Sequence, residues 1–367
     1  MPVTPLRYGI IGTGLMGREH LRILALIPEV ETVAICDPHS DSIEEALKIT
    51  PGADTYDDFA DFLNRDDLDV VIVATPNHTH ADIVTALVQK GPHLLIEKPM
   101  ATTIEDAKTL HSLLSDYQSL AWIGMEYRYA PPVAQAIERS DSGEIGTLRM
   151  LSIREHRYPF LPKIDDWNRF NKNTGGTLVE KCCHFFDLMR HILKSEPTQV
   201  FASGAIDVNH LNETYDEGKP DIIDNALVIV DFESGARASL DLCMFAEQST
   251  DQTEIHFVGD AGKIECRQPA NSVTIGLRHQ GWENWAVGAF RDSERLRTDY
   301  IDISTDISNG HGGATFHEHQ AFLRAIQQGQ RPSVSSLDGL MAVLMGAAAE
   351  ISIRQNRVVR MSELTDY

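Results

Sequence analysis

The chain has no apolar run long enough to cross a bilayer as a helix, and its N-terminus lacks the basic-then-apolar order of an export signal. A cytoplasmic location is the expectation. No basic stripe is present either: 54 Asp and Glu against 32 Lys and Arg give a formal net charge of -22, with the acids spread along the sequence. Phosphate-rich partners need clustered cations, so this argues against nucleic acid and anionic membrane. Small anions respond to local charge and stay open. The five cysteines (Cys36, Cys182, Cys183, Cys243, Cys266) are odd in number and lack paired metal spacing, so reduced thiols are expected and no metal site. Internal repeats and low-complexity tracts are also missing. What remains, 42% hydrophobic and 23% charged residues, is the composition of a globular protein, and 367 residues exceed one ordinary core. Two domains are predicted.

Leu6 to Ile11 is a short apolar run ending at Gly12-Thr13-Gly14-Leu15-Met16-Gly17, after which Arg18 to Ile27 has helical periodicity. The spacing is G-x-G-x-x-G between a strand and a helix. Its glycines allow a tight turn, close approach of a pyrophosphate and close helix–strand packing, while the helix N-terminus favours negative charge. A second strand, Thr32 to Cys36, ends in Asp37, placed to accept from ribose hydroxyls and to repel a 2′-phosphate. That pattern favours NAD over NADP. Helices at Ser42–Ile49 and Asp57–Leu63 and a buried strand at Asp69–Ala74 continue the alternation. Thr75-Pro76-Asn77-His78-Thr79-His80 then opens the next helix. Its two histidines could pair on a metal, but no carboxylate or cysteine has matching spacing, and helix capping with cofactor-side contacts is the stronger reading. Alternating strands and helices predict a doubly wound parallel sheet.

Glu97-Lys98-Pro99 closes the strand His93–Ile96 with a carboxylate and an ammonium where a neutral turn is usual. Proline restricts the residue before it, so the backbone sets the direction of Lys98. Ligands of open α/β sheets bind outside the carboxyl ends of strands, which makes this trio a candidate site and not a surface ion pair. Burial near a positively charged nicotinamide is expected to lower the Lys98 pKa, with Glu97 limiting the drop.

Beyond Met125 the pattern changes. Residues 1–125 read as one domain and 126–367 as another. A helix at Val133–Arg139 precedes strands at Thr147–His156, Gln199–Ile206, Asn225–Phe232, Ala236–Phe245, Thr253–Val258 and Lys263–Cys266, joined by hairpin turns. This predicts a large, mainly antiparallel open sheet. Asp207–Pro220 and Arg267–Gly313 read as irregular, and Phe316–Gln328 and Leu337–Gln355 as closing helices. Leu178 to Leu193 reads as one helix, which would make Glu180 and His184 neighbours four residues apart on one face. Such a pair suits proton transfer, and a structural histidine beside a surface acid fits equally. Cys182, Cys183 and His184 diverge around a helix and do not share an ion easily.

The G-x-G-x-x-G opening, the Glu97-Lys98-Pro99 trio and the Gly175-Gly176…His184-x-x-Asp187 stretch together resemble the Gfo/Idh/MocA oxidoreductases, from Arg7 to about Leu364. The resemblance implies a Rossmann domain and an α/β domain whose open sheet covers the active site and mediates a homodimer or homotetramer. NAD is the implied cofactor, with Gly12, Gly14, Leu15, Met16, Gly17, Asp37, Thr75, Pro76, Asn77, His80, Glu97 and Lys98 around it. A CH–OH group of a sugar or polyol is the implied substrate. Lys98 matches the family lysine beside the reacting carbinol and His184 the proton-transferring histidine. Glu180, in the position of a common Asp, would orient His184. Glu126, Arg128, His156, Trp167, Arg169 and Lys181 are substrate-side candidates. Glu180-Lys181-Cys182-Cys183 departs from the usual Asp-x-Gly-x pattern and suggests a distinct substrate. Two other readings are an oxidoreductive glycosidase that oxidises its sugar transiently, with overlapping residues, and an NAD(H) sensor, which needs none of Lys98, Glu180 and His184.

Overall fold

The computed structural model describes residues 4–278 and 296–365, so residues 279–295 of the stretch read as irregular lie outside the described residues. Among them, six parallel strands form the first sheet in the order β3-β2-β1-β4-β5-β6. These are β1 (Leu6–Ile11), β2 (Val30–Cys36), β3 (Asp54–Tyr56), β4 (Val70–Val73), β5 (His93–Glu97) and β6 (Ala121–Gly124). Val70 to Val73 are buried on both faces, as a central parallel strand between helical layers requires. The layers come from α1 (Leu15–Leu24), α2 (Ser40–Leu47), α3 (Phe59–Leu63), α4 (His80–Val88) and α5 (Ile104–Ser115). Thr103 caps α5 by accepting from the Asp106 N–H at 3.1 Å. The carboxyl ends of β1, β4 and β5 lie side by side, which brings the glycine loop, Thr75-Pro76-Asn77 and Glu97-Lys98 to one edge. The Lys98–Pro99 bond is cis.

The second sheet has nine strands among the described residues, ordered β14-β13-β12-β11-β7-β10-β9-β8-β15. They are β7 (Leu148–His156), β8 (Pro197–Ala205), β9 (Asn225–Phe232), β10 (Arg237–Cys243), β11 (Thr253–Gly259), β12 (Gly262–Gln268), β13 (Ser272–Leu277), β14 (Leu296–Tyr300) and β15 (Val359–Arg360). Every pairing is antiparallel except β7 with β10. Burial alternates along β9 and β10, one side chain in and the next out, so one face of the sheet is covered.

That face packs against α6 (Pro131–Asp141), α9 (Cys183–Leu193) and α12 (Ser336–Gln355), and the second half also holds α7 (Asn171–Thr174), α8 (Thr177–Glu180), α10 (Thr305–Ser308), α11 (Ala314–Gln328) and α13 (Ser362–Thr365). α12 is 20 residues long and apolar, but Asp338 and Glu350 interrupt it and most of it lies inside the fold, as a core helix. Its start is a reciprocal capping box between Ser335 and Asp338.

Two sequence expectations change here. The helix read as Leu178–Leu193 is two helices broken at Lys181-Cys182. The break coincides with a buried tether: Lys181 donates to the Tyr127 hydroxyl at 2.8 Å and its ammonium lies 3.2 Å from Glu155 Oε1. The stretch read as irregular also contains β13 and β14, whose edge position lets β14 be polar.

Candidate active site

An open cleft of about 700 Å³ runs along the carboxyl edge of the first sheet. Gly12, Gly14, Leu15, Met16, Asp37, Thr75, Pro76, Asn77, Glu97 and Lys98 line it, and the far wall is Leu161 to Asp165, Trp167 and Glu180. Three glycines divide the work of the loop. A Cβ on Gly17 would lie 1.9 Å from the Gly12 carbonyl oxygen, and Gly12 has φ +88 with Ala74 backbone 2.5 Å from where a Cβ would sit. Gly14 faces open space, with nothing within 4 Å. Two glycines are therefore needed for packing and the third leaves bare backbone toward the cleft.

Asp37 is held rigidly: Oδ2 accepts from the Thr13 N–H at 2.7 Å and Oδ1 from the His39 N–H at 2.9 Å. The Asn77 amide nitrogen is buried without a partner, a donor suited to an acceptor on a bound molecule. These features fit a dinucleotide: the α1 N-terminus would hold a pyrophosphate, Asp37 would accept from ribose hydroxyls and Lys98 would border the nicotinamide end. His80 is different from its expected role. Both ring nitrogens are spent on backbone carbonyls, Pro99 at 2.9 Å and Thr75 at 3.0 Å, so it braces the two strand ends from behind. His78 faces the other way, toward the Trp167 ring. The two histidines do not converge on an ion.

Lys98 is on the cleft wall with its ammonium 3.4 Å from the Glu180 main-chain carbonyl. Burial opposes its charge, but Cys183, Glu126, Glu97 and Glu180 outweigh burial and raise its pKa. Of these groups only Glu97 is visible from sequence, and the lowering expected there is for an ammonium beside a positively charged nicotinamide. Glu97 in turn is fixed by His20 Nε2 at 2.8 Å, and His20 Nδ1 meets His319 Nε2 at 2.8 Å, a fully buried chain.

The break after α8 turns the Glu180 carboxylate away from His184. Glu180 lines the cleft, its Oε2 has no partner, and burial pushes its pKa up to about 7 against the pull of Lys98 and Lys163. The carboxylate facing His184 is Glu126, with Oε1 3.5 Å from Nε2. The expectation that Glu180 orients the imidazole is thereby corrected. His184 stacks on the Tyr127 ring at 4.3 Å, 2% exposed, and its Nδ1 has no partner. Burial, with Lys98, Lys181, His311 and Arg157 nearby, holds its pKa well below the usual value.

The substrate-side candidates divide. Trp167 is on the cleft wall. Arg128 is buried against Asp187, donating through Nε at 2.6 Å, and also to the Ser333 carbonyl at 2.8 Å. Arg169 is buried and spent on Glu213 at 3.2 Å and on Asn168. Lys181 is committed to Tyr127 and Glu155 as described. His156 points to the opposite face of β7 from the buried Glu155 and meets Asp241 at 3.2 Å. These four are structural in their contacts, and none lines the cleft. Sequence reasoning missed Lys163, a lysine in a loop without periodicity that faces the cleft beside Glu180. It also missed His311, whose setting in Gly310-His311-Gly312-Gly313 was a usable signal.

A dinucleotide cleft at the edge of a parallel sheet, walled on its far side by residues 161–165, Trp167 and Glu180 of the second half, is the site of an NAD-binding oxidoreductase. Family comparison agrees: residues 6–125 match the "Oxidoreductase family, NAD-binding Rossmann fold" and residues 137–361 the "Oxidoreductase family, C-terminal alpha/beta domain". The chain belongs to the Gfo/Idh/MocA oxidoreductase family. It is 26% identical to myo-inositol 2-dehydrogenase of Thermotoga maritima over 359 residues, 98% of this chain and 99% of the relative. It is 25% identical to scyllo-inositol 2-dehydrogenase (NAD(+)) of Bacillus subtilis over 365 residues, 98% of each. Among solved structures, a levoglucosan dehydrogenase in complex with NADH and levoglucosan shares the fold with TM-score 0.84 at 22% identity, covering 97% of this chain and 99% of the other.

Proposed function

We propose that the protein oxidises a CH–OH group of a polyol or sugar with NAD. The observation that carries this is the meeting of Lys98 and Glu180 on the wall of the dinucleotide cleft, where β5 of the first sheet faces α8 of the second half. The relatives named as inositol 2-dehydrogenases support the substrate class. Bound nicotinamide would supply the hydride acceptor. The protein's part is to hold the hydroxyl and manage its proton. The Lys98 ammonium steadies negative charge developing on the substrate oxygen. His184, kept neutral by burial and with Nδ1 free, receives the proton. Glu180, with one free carboxylate oxygen, binds a neighbouring hydroxyl. Trp167 and Lys163 border the substrate.

The test is NADH formation over a panel of inositols, other polyols and sugars. No NADH from any of them, in a protein that binds NAD, would overturn the proposal. Aglycone release from glycosides without NADH accumulation would indicate the redox-neutral glycosidase instead. We also read the uncovered face of the second sheet as a self-association surface. It exposes Met150 (52%), Leu227 (63%) and Ile229 (52%), and light scattering of the purified protein reads the assembly directly.

A further inference from the structure

Oxidising CH–OH to C=O moves a hydride, with both C–H electrons, to nicotinamide and leaves the hydroxyl proton behind. Each turnover thus deposits one proton in the site. His184, which receives it in the reading above, is 2% exposed and cannot pass it to bulk water directly. We infer that Glu126 and His311 form the proton exit, carrying it from His184 through the Glu126 carboxylate and the His311 imidazole to Glu19 and solvent. The inference rests on the proposed function.

Glu126 is the reason to look here. It is 2% exposed, and neither carboxylate oxygen has a hydrogen-bond partner. Leaving a buried carboxylate unsatisfied is costly and calls for an explanation. Its Oε1 lies between two imidazoles, 3.5 Å from His184 Nε2 and 3.9 Å from His311 Nε2. Small side-chain adjustments would bring either nitrogen to hydrogen-bond distance. Beyond it, His311 Nδ1 is 2.7 Å from Glu19 Oε1. The Glu126 side chain is 3% exposed, His311 35% and Glu19 14%, so the route reaches solvent at His311 and Glu19. Gly310 and Gly312 flank His311, so no adjacent side chain crowds its ring.

The bonds balance without further reactants. The substrate O–H breaks as N–H forms at His184 Nδ1, which has no other partner. His184 then gives up its Nε2 proton to Glu126 Oε1, and Glu126 passes it to His311 Nε2. His311 releases its Nδ1 proton to Glu19 and water, and no electrons move along the route. Charged and titratable groups facing the route include Lys98, Lys181, Arg157, Glu97, Glu318, the stacked Tyr127, Cys183 beside Glu126 and His20 beside Glu19. Burial lowers the pKa of His184 and raises that of Glu126, and against burial Glu19 and Glu126 raise that of His311. The other buried chain, Glu97–His20–His319, offers no exit. His319 is 1% exposed and its Nδ1 has no partner.

The test uses full-length Glu126→Gln and His311→Asn proteins, the second at an exposed position where folding is least at risk. Turnover with NAD and the most responsive polyol is measured at rising imidazole concentration and constant pH and ionic strength. The expected result is kcat lower by about 10²-fold in dilute buffer, the low end for a positioned proton-transfer group, with NAD affinity near the parent's. Imidazole should restore kcat in the variants and leave the parent unchanged. Parent-like kcat in both variants, or a loss that imidazole does not relieve, overturns the relay and leaves the proposed oxidation standing. A parent that reduces NAD with no polyol or sugar overturns that oxidation, and the relay with it.

Discussion

The Lys98 ammonium approaches the main-chain carbonyl of Glu180, not its carboxylate, at 3.4 Å. The contact between the two halves of the site thus runs through backbone, and substitutions at the two residues should separate. Lys98→Met removes the cation while Pro99 still fixes the chain direction. Turnover should fall by about two to four orders of magnitude, the range for proton-transfer and charge-stabilising groups. NAD binding, followed by fluorescence titration, should stay near the parent's because the glycine loop and Asp37 are untouched. Turnover within a few-fold of the parent would remove Lys98 from the chemistry.

Glu180 predicts a dependence of stability on pH. Its folded pKa is about 7 against an ordinary 4.5, because burial penalises the carboxylate. The folded state therefore binds the proton more tightly than the unfolded state does. The resulting stability is fully present below 4.5 and is lost as pH rises through about 7. Glu180→Gln, which cannot ionise, should be more stable than the parent well above neutrality, by at most about 3 kcal/mol. The gap should close in acid. Urea melts of both proteins across pH measure it, and a constant gap would contradict the assignment.

Much of the first sheet was legible because its signals are local. Apolar runs, the glycine spacing and Asp37 each depend on a few consecutive residues, and the observed strands fall within a residue or two of the expected ones. β3 escaped because Asp54–Tyr56 is three residues of mixed polarity, defined by pairing with β2 and not by composition. The second half was less legible where long-range contacts decide. No periodicity shows that Lys181 will be drawn to Tyr127 and Glu155, yet that tether accompanies the break separating Glu180 from His184. Glu126 and His311 are 185 positions apart by their numbering, so only the fold brings them to 3.9 Å.

Arg128 was a substrate-side candidate by resemblance, and its contacts give the opposite expectation. It is buried with Asp187 and lies 3.2 Å from Asp338, so Arg128→Met leaves Asp187 charged and unpaired in the core. Breaking a buried pair from one side costs about 3–5 kcal/mol. Thermal melts should show that loss, while KM for the substrate in the surviving folded protein changes little. Replacing both partners, with Asp187→Leu added, should recover much of the stability. A selective rise in KM with an unchanged melt would restore Arg128 to the substrate.

The glycine loop offers a separation of fold from cofactor within six residues. Gly17→Ala places a methyl 1.9 Å from the Gly12 carbonyl oxygen, and Gly12→Ala combines φ +88 with a 2.5 Å clash against Ala74. Both require backbone to move, so both should lower the melting temperature before any cofactor is added. Gly14→Ala meets nothing within 4 Å and has an ordinary negative φ of -64, so its melt should match the parent's. The added methyl instead occupies space in the cleft where a pyrophosphate needs close backbone approach. Its effect should appear as weaker NAD binding and as loss of the stabilisation that saturating NAD gives the parent. A Gly14→Ala protein that binds NAD as tightly as the parent would move the pyrophosphate away from this turn.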